Sequence, residues 1–270
     1  MAVVSSRLVF LSAICILIAP AIVRPQHDPN FFCSDKQGNY GSGSTYKANL
    51  NLVLSPLSSN SNEIDNGFYN SSYGEDPDKV YAIGQCRGDL KPDVCRKCLS
   101  FSKDNLPTIQ FCPVQKEAIV FYEECMLRYS SRNIFSTMDD TPEYPWMSKL
   151  YNISDYSDDE KAEFNKDLSN LLQNLRGRAV AGGSLRKFAV ANASAPRSQT
   201  LYGLMQCTPN LSEQDCSRCL SGAIDNFLKS YADRLGGRIR RPSCNFRYEN
   251  SSFFDPAAYA PPSPPPGNLI

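Results

Sequence analysis

The sequence predicts an α+β protein of two tandem units, each with an antiparallel sheet and helices, stapled by disulfides. Three observations lead there. A cysteine spacing occurs twice, each copy carries stretches of helical periodicity, and strand-like runs follow without the strand–helix–strand alternation of a parallel sheet.

The repeat is ordered. The first copy reads Tyr81-Ala82-Ile83-Gly84-Gln85-Cys86, then Cys95 and Cys98-Leu99-Ser100. The second reads Tyr202-Gly203-Leu204-Met205-Gln206-Cys207, then Cys216 and Cys219-Leu220-Ser221, with Leu90 and Leu211 also in register. Further on, Cys125-Met126-Leu127-Arg128-Tyr129 matches Cys244-Asn245-Phe246-Arg247-Tyr248. Chance in a cysteine-rich chain does not align the residues between the cysteines.

The elements follow in order. In the first copy Tyr46, Leu50, Val53, Leu54 and Leu57 trace a short helix face, with Pro56 near its end. In the second, Ser157-Asp158-Asp159-Glu160 is a capping box, in which serine and glutamate satisfy each other's backbone N–H groups. Phe164, Leu168, Leu171, Leu172 and Leu175 continue it on one apolar face, and Gly177 offers a stop. A strand leads into each Gln-Cys. A second helix starts near Pro92 and near Ser212 and carries both sulfurs of Cys-x-x-Cys on one face. Ile119–Arg128 and Ile239–Tyr248 then read as strands.

Leu8–Val23 is apolar but for Ser12 and Pro20, with Arg7 before it and Ala19-Pro20-Ala21 at a cleavable position. It reads as a signal peptide cut after Ala21 or nearer Gln26; as a membrane anchor it would be short and proline-broken. The expected organisation is a leader over 1–25, a first domain over 26–135, a linker over 136–149 holding Pro142 and Pro145, a second domain over 150–255 and a tail over 256–270. That tail holds six prolines in fifteen residues. The expected compartment is extracellular, with no membrane span in the mature chain. Sequons at Asn70, Asn152, Asn192, Asn210 and Asn250 fit the secretory route. The formal net charge is +0, which supplies no basic field for nucleic acid.

Of eleven cysteines, Cys15 falls in the leader, leaving an even ten. Four recur in both copies, and the first adds Cys33 and Cys112. The two missing from the second copy are most simply a lost pair, so Cys33 is expected to bond Cys112. Cys86, Cys95, Cys98 and Cys125 are then left to pair as their counterparts do. Each bond contributes about 2–4 kcal/mol, which leaves the second unit with fewer staples the less robust. A redox Cys-x-x-Cys would open a helix after a βαβ-type strand, and a zinc site would want histidines. The only histidine is His27, beside the cleavage site, so no histidine-based triad or metal centre can form and no cofactor is expected. Acid pairs at Glu123-Glu124, Asp139-Asp140 and Asp158-Asp159 read as solvated charges, and the chain as a non-enzyme.

The Cys-x8-Cys-x2-Cys core, the preceding Tyr and Gln, Cys112-Pro113 and Cys-x-x-Arg-Tyr together resemble the ginkbilobin-2-like, or stress-antifungal, domain of plants. The two-copy arrangement looks like a plant cysteine-rich repeat secretory protein, and it is similar to the ectodomain of cysteine-rich receptor-like kinases. The resemblance covers nearly the whole mature chain. It implies two helices packed on a five-stranded antiparallel sheet in each domain. It also implies the pairing Cys33–Cys112, Cys86–Cys95, Cys98–Cys125, Cys207–Cys216 and Cys219–Cys244.

Related lectins hold mannose with an asparagine, an arginine and a glutamate. Carried over, these fall on Asn152, Arg238 and Glu249 in the second domain; the first has Ser34, Ile119 and Ser130 there and is expected not to bind mannose in this way. The register of Asn152 rests on aligning Phe164 with Tyr46, and a glycan on its sequon would occupy the pocket. Arg238 also lies in a basic cluster with Arg234, Arg240, Arg241 and Arg247, which reads as solvated charge or as a surface for acidic cell-wall polysaccharide. The function expected is a secreted, non-enzymatic apoplastic binding protein of stress or defence responses. Its expected partners are a mannose-type glycan, wall polysaccharide or a receptor-kinase ectodomain; the alternative is a directly antifungal lectin.

Overall fold

The computed structural model describes residues 29–58, 64, 66–183 and 186–254. The leader, His27 and the proline-rich tail lie outside these. In chain order the elements are β1 (Asn30–Asn39), α1 (Thr45–Leu54), β2 (Phe68–Tyr73), β3 (Val80–Cys86), α2 (Pro92–Asn105), β4 (Gln115–Phe121) and β5 (Cys125–Ser130). The second unit repeats the order with β6 (Tyr144–Met147), α3 (Asp158–Val180), β7 (Lys187–Ala195), β8 (Gln199–Cys207), α4 (Glu213–Tyr231), β9 (Gly237–Arg240) and β10 (Cys244–Glu249). Each unit is a five-stranded antiparallel sheet, ordered β1-β4-β5-β3-β2 and β6-β9-β10-β8-β7, with two helices on one face.

Local chemistry sets the helices. Ser44 caps α1 by accepting from the Lys47 N–H, and the helix ends at Leu54, just short of Pro56. The Ser157–Glu160 capping box opens α3 as the sequence predicts. Gly177 does not end α3, which runs on to Val180 and closes near Gly183, a glycine with φ +73°. Ala179 is fully buried against the core, and that packing carries the helix over a glycine that costs only about 1 kcal/mol. Phe164, Leu168, Leu171, Leu172 and Leu175 form the buried stripe against β7 and β8.

Five disulfides tie helices and loops to the sheets: Cys33–Cys112, Cys86–Cys95, Cys98–Cys125, Cys207–Cys216 and Cys219–Cys244. The extra bond of the first unit fastens the long α2–β4 loop to the edge strand β1. In the second unit α4 has 19 residues against 14 in α2, and the loop that follows is shorter. There is less loop to fasten.

Two segments differ from the sequence expectation. Tyr144–Met147, expected as linker, form β6, which pairs with β9 through Pro145 opposite Ile239. A proline lacks the N–H that an edge strand does not need on its open side, so Pro145 is compatible with a strand there. The runs read as strands, Ile119–Arg128 and Ile239–Tyr248, each span the turn of a hairpin. The first turns at Tyr122–Glu124, where the Tyr122 N–H reaches the Cys125 carbonyl, and the second at Arg241–Ser243.

The sheet faces turned away from the helices are apolar as well, with Ile83, Ile119, Phe121 and Met126 on one and Phe188, Val190 and Leu204 on the other. Between them the units make a reciprocal contact. Gln85 Nε2 donates to the Cys207 carbonyl at 2.8 Å, and Gln206 Nε2 donates to the Cys86 carbonyl at 2.9 Å. Both glutamines are buried. The Gln of each Gln-Cys motif therefore satisfies a backbone acceptor of the other copy, a role that neither copy displays alone.

Gly237 is held against Phe227, whose ring packs edge-on against Phe246 and Tyr248. A Cβ at Gly237 would lie 1.9 Å from Phe227 Cζ. Gly237→Ala is therefore expected to cost about 1–3 kcal/mol by overpacking, measured by urea unfolding, while Gly177→Ala, which meets open space, should not destabilise the protein.

Candidate functional site

The β4–β5 hairpin tip projects Glu123 onto the outer face of the second sheet. There its carboxylate meets Arg238, Arg240 at 2.8 Å and Arg247, while Arg87 of its own unit approaches at 3.3 Å. The Glu123 side chain is 15% exposed. Burial pushes its pKa up, but Arg247, Arg240, Arg238 and Arg87 outweigh it, so the group sits below the ordinary glutamate value. Burial and the neighbouring Arg238 push the Arg240 guanidinium down to about 10, still charged at neutral pH. Arg87 is also held by Asp89 at 2.7 and 2.9 Å, and Arg247 by Glu249 at 2.7 Å.

The expectation that Glu123-Glu124 and the arginine cluster are solvated is thus corrected. Arg240 and Arg241 are buried, and Arg241 pairs with Glu143 at 2.6 Å and with the Cys219 carbonyl at 3.0 Å. Asp139 pairs with the buried Arg128 at 2.7 Å and with Arg132 at 3.0 Å. Glu249 and Asp233 lie beside Arg247 and Arg234 in sequence, but Glu123 and Glu143, which hold Arg238, Arg240 and Arg241, come from the first unit and the joining segment, far away in sequence. No local charge pattern announces them. Asp158 and Asp159 stay exposed in the first turn of α3, where the helix dipole favours them.

The strand register locates the residues carried over for sugar binding. Across the outer face of the second sheet, Trp146, Arg238, Arg247, Leu204 and Val190 stand in one row. The matching row of the first sheet is Phe32, Ile119, Arg128, Ile83 and Asn70, so Ile119 does stand where Arg238 stands. Ser130 likewise matches Glu249, each opposite the tyrosine that opens its repeat, Tyr81 or Tyr202. Arg238 is engaged by Glu123 and lies over the Trp146 ring at 5.5 Å; Glu249 is engaged by Arg247.

Asn152 stands elsewhere. It bridges Arg234, and its carboxamide oxygen accepts from the Ser154 N–H at 2.9 Å within its own turn. It makes no hydrogen bond to Arg238 or Glu249 among the described residues. The register puts Ser148 at the place Ser34 holds in the first unit: its N–H bonds the Gly236 carbonyl, and a Cβ at Gly236 would touch both Ser148 and Glu249. The helix-based alignment missed this because the chain between β6 and α3 is longer than its counterpart between β1 and α1. Of the sequon asparagines, Asn70 and Asn192 are exposed on the edge strands β2 and β7, whereas the carboxamide oxygen of Asn210 is buried without a partner.

This architecture is that of a tandem cysteine-rich repeat, two disulfide-stapled α+β units joined by buried polar contacts. The chain belongs to the salt stress response/antifungal family, whose model matches residues 32–132 and 151–251. It is similar in structure to the tandem DUF26 ectodomain of the Arabidopsis thaliana cysteine-rich receptor-like protein PDLP8. The TM-score is 0.66 at 24% identity, over 83% of this chain and 98% of that one. The corresponding ectodomain of PDLP5 from the same plant gives 0.62 at 22% identity, again over 83% and 98%, and both show the shared fold. In sequence the chain is 39% identical to Arabidopsis thaliana cysteine-rich receptor-like protein kinase 26 over 88% of its own length and 36% of the relative's. It is also 39% identical to putative cysteine-rich receptor-like protein kinase 9 over 87% of this chain and 85% of that protein. The chain spans about a third of the length of the first of these relatives. No helix among the described residues is long and apolar enough to cross a membrane.

Replacing Glu123 by glutamine removes the counter-charge of the guanidiniums without removing bulk. Glu123→Gln is expected to cost about 2–5 kcal/mol of unit–unit docking. Small-angle scattering should show an expanded particle, and proteolysis should become faster between the units; Asp140→Asn, on an exposed acid, is the silent control. Because the folded-state pKa of Glu123 lies below its ordinary value, its contribution is complete at neutral pH. It is lost as pH falls from about 4.3 down through the depressed value, so wild-type protein should loosen in acid and Glu123→Gln should lack that transition.

Proposed function

We propose that the protein is an extracellular binding module without catalytic activity, which acts in stress or defence responses by docking on the ectodomain of a cysteine-rich receptor-like kinase or by binding carbohydrate. The observation that carries this reading is the likeness along nearly the whole chain to the cysteine-rich part of such kinases, at 39% identity. Secretion and glycosylation belong to the same proposal. Glycans on Asn70 and Asn192 would shield the two outer edge strands, β2 and β7, from strand-to-strand aggregation.

Docking is supported by what remains uncovered. Phe32 on β1 and Trp146 on β6 stay exposed at equivalent outer-face positions, while Phe31 turns to the opposite face against Phe111; the Tyr144 hydroxyl donates to the Phe31 carbonyl at 2.6 Å, which holds the two edge strands close. Exposed aromatic side chains grouped in this way are typical anchors of protein interfaces.

The mannose-binding lectin is the second reading. It is favoured by Ser148, Arg238 and Glu249 sharing one end of the outer face, and it requires Arg238 to serve a sugar while bound to Glu123. A glycan array on protein before and after deglycosylation examines it directly: loss of mannose binding in Arg238→Ala would favour the lectin.

For the preferred reading, biolayer interferometry against the immobilised ectodomain of receptor-like protein kinase 26 is expected to show saturable binding. Phe32→Ser with Trp146→Ser should weaken it about tenfold or more, the loss typical of interface aromatics. No binding by the parent, together with an empty glycan array, would remove this function.

A further inference from the structure

A cavity of about 550 Å³ opens on the outer face of the first sheet, with apolar walls from Phe32, Ile119, Pro142 and Pro242. It exists because the two hairpin tips differ. On the second sheet Glu123 fills the place beside Arg247. On the first sheet the equivalent tip residue is Pro242, too short to fill the place beside Arg128.

Three cations line the cavity, Lys36, Arg128 and Arg132. Arg128 is held by Asp139, and Arg132 by Asp139 and Glu117, so these two are answered within the protein. Lys36 is exposed and has no ion pair among the described residues; the adjacent Asp35 meets the Gln115 carboxamide instead. The cavity is thus apolar, with one unanswered positive charge beside it.

The same end of the sheet carries a projection of the complementary kind. Ser34, Glu117, Ser130, Tyr81 and Ser72 form one row straight across the sheet. Lys36 lies just beyond this row on the edge strand β1, and Tyr73 just beyond it on the opposite edge strand, β2. Tyr73 is 49% exposed. The turn after it carries Glu75 and Asp76, both exposed and without an ion pair among the described residues. Lys79, the cation of that turn, lies over the Tyr81 ring, and Asp78 faces Lys116. The projection is an aromatic side chain followed by two unanswered negative charges.

We propose that this end of the first unit is the interface of a symmetric dimer, in which Tyr73 of each copy enters the other copy's cavity while Glu75 and Asp76 meet its Lys36. Charge complementarity names the occupant, because one chain carries both halves of the contact. Projection and cavity sit on opposite edges of one sheet end, about 19 Å apart by four strand spacings. A twofold axis across that end closes both contacts at once. The formal net charge of +0 leaves no long-range repulsion between copies. Phe32 lines the cavity and also belongs to the aromatic edge, so self-association and kinase-ectodomain docking compete for one surface.

Sedimentation equilibrium of the full chain over a concentration series tests this with no other protein present. The expected result is a monomer–dimer equilibrium that added salt weakens. Glu75→Lys with Asp76→Lys, and separately Lys36→Glu, should each weaken the dimer about tenfold or more, because like charges then meet. A chain carrying all three changes should recover the parental dimer, since the reversed charges again oppose. Tyr73→Ser, which leaves every charge in place, should weaken the dimer by a similar factor. A parent that stays monomeric, a dimer indifferent to either reversal, or a triple variant as weak as its parts would each overturn the proposal. Should the paired reversal fail to fold, Lys36→Glu and Tyr73→Ser decide, and parental dimerisation in either overturns it. Binding to a kinase ectodomain is measured separately, and its failure leaves the dimer standing.

Discussion

Glu123 sits in the three-residue turn between β4 and β5 and is reached by four guanidiniums, three of them from the other unit. Without that carboxylate, Arg238, Arg240 and Arg247 would face one another on adjacent strands, and among the described residues only Arg247 would keep an ion-pair partner, Glu249. Like charges at that spacing repel, and partly buried guanidiniums cannot recover their lost hydration. The carboxylate thus does more than add an ion pair: it makes the arginine-bearing face of the second sheet compatible with burial. The relative placement of the two units depends on it.

A second layer of contact is symmetric where the first is not. Gln85 and Gln206 come from equivalent positions of the repeat and exchange equivalent hydrogen bonds, as expected when two copies of one fold meet about an approximate twofold axis. The ionic layer breaks that symmetry. The place of Glu123 in the second hairpin is taken by Pro242, and the place of Arg238 in the first sheet by Ile119. The ionic contact therefore has a defined acid side in the first unit and a defined basic side in the second. Such a contact rejects the reversed arrangement.

Docking also decides which surfaces remain for function. The outer-face arginine expected at a sugar site is engaged within the protein, and the asparagine lies in a separate turn. What stays open is the aromatic edge formed by β1 and β6 and the cavity bounded by Pro142 and Pro242. Both exist only because two units are held together. A single unit would present only part of each.

The sequence by itself determined everything that short-range chemistry controls. Ser157 with Glu160 starts a helix because a serine oxygen and a glutamate three residues on can close on each other's N–H groups; Pro56 stops one because it lacks that N–H. Repeated cysteine spacing specified two copies of one stapled unit. The tertiary structure alone decided the fate of groups whose partners lie far along the chain. Pro145 reads as linker until β9 pairs beside it, and Arg238 reads as solvated until Glu123, 115 residues away, is brought against it. The motif glutamines look like part of a repeat signature until each is seen bonded to the other copy. Burial and charge pairing are properties of contacts rather than of positions, and no local pattern encodes which distant residue will supply the contact.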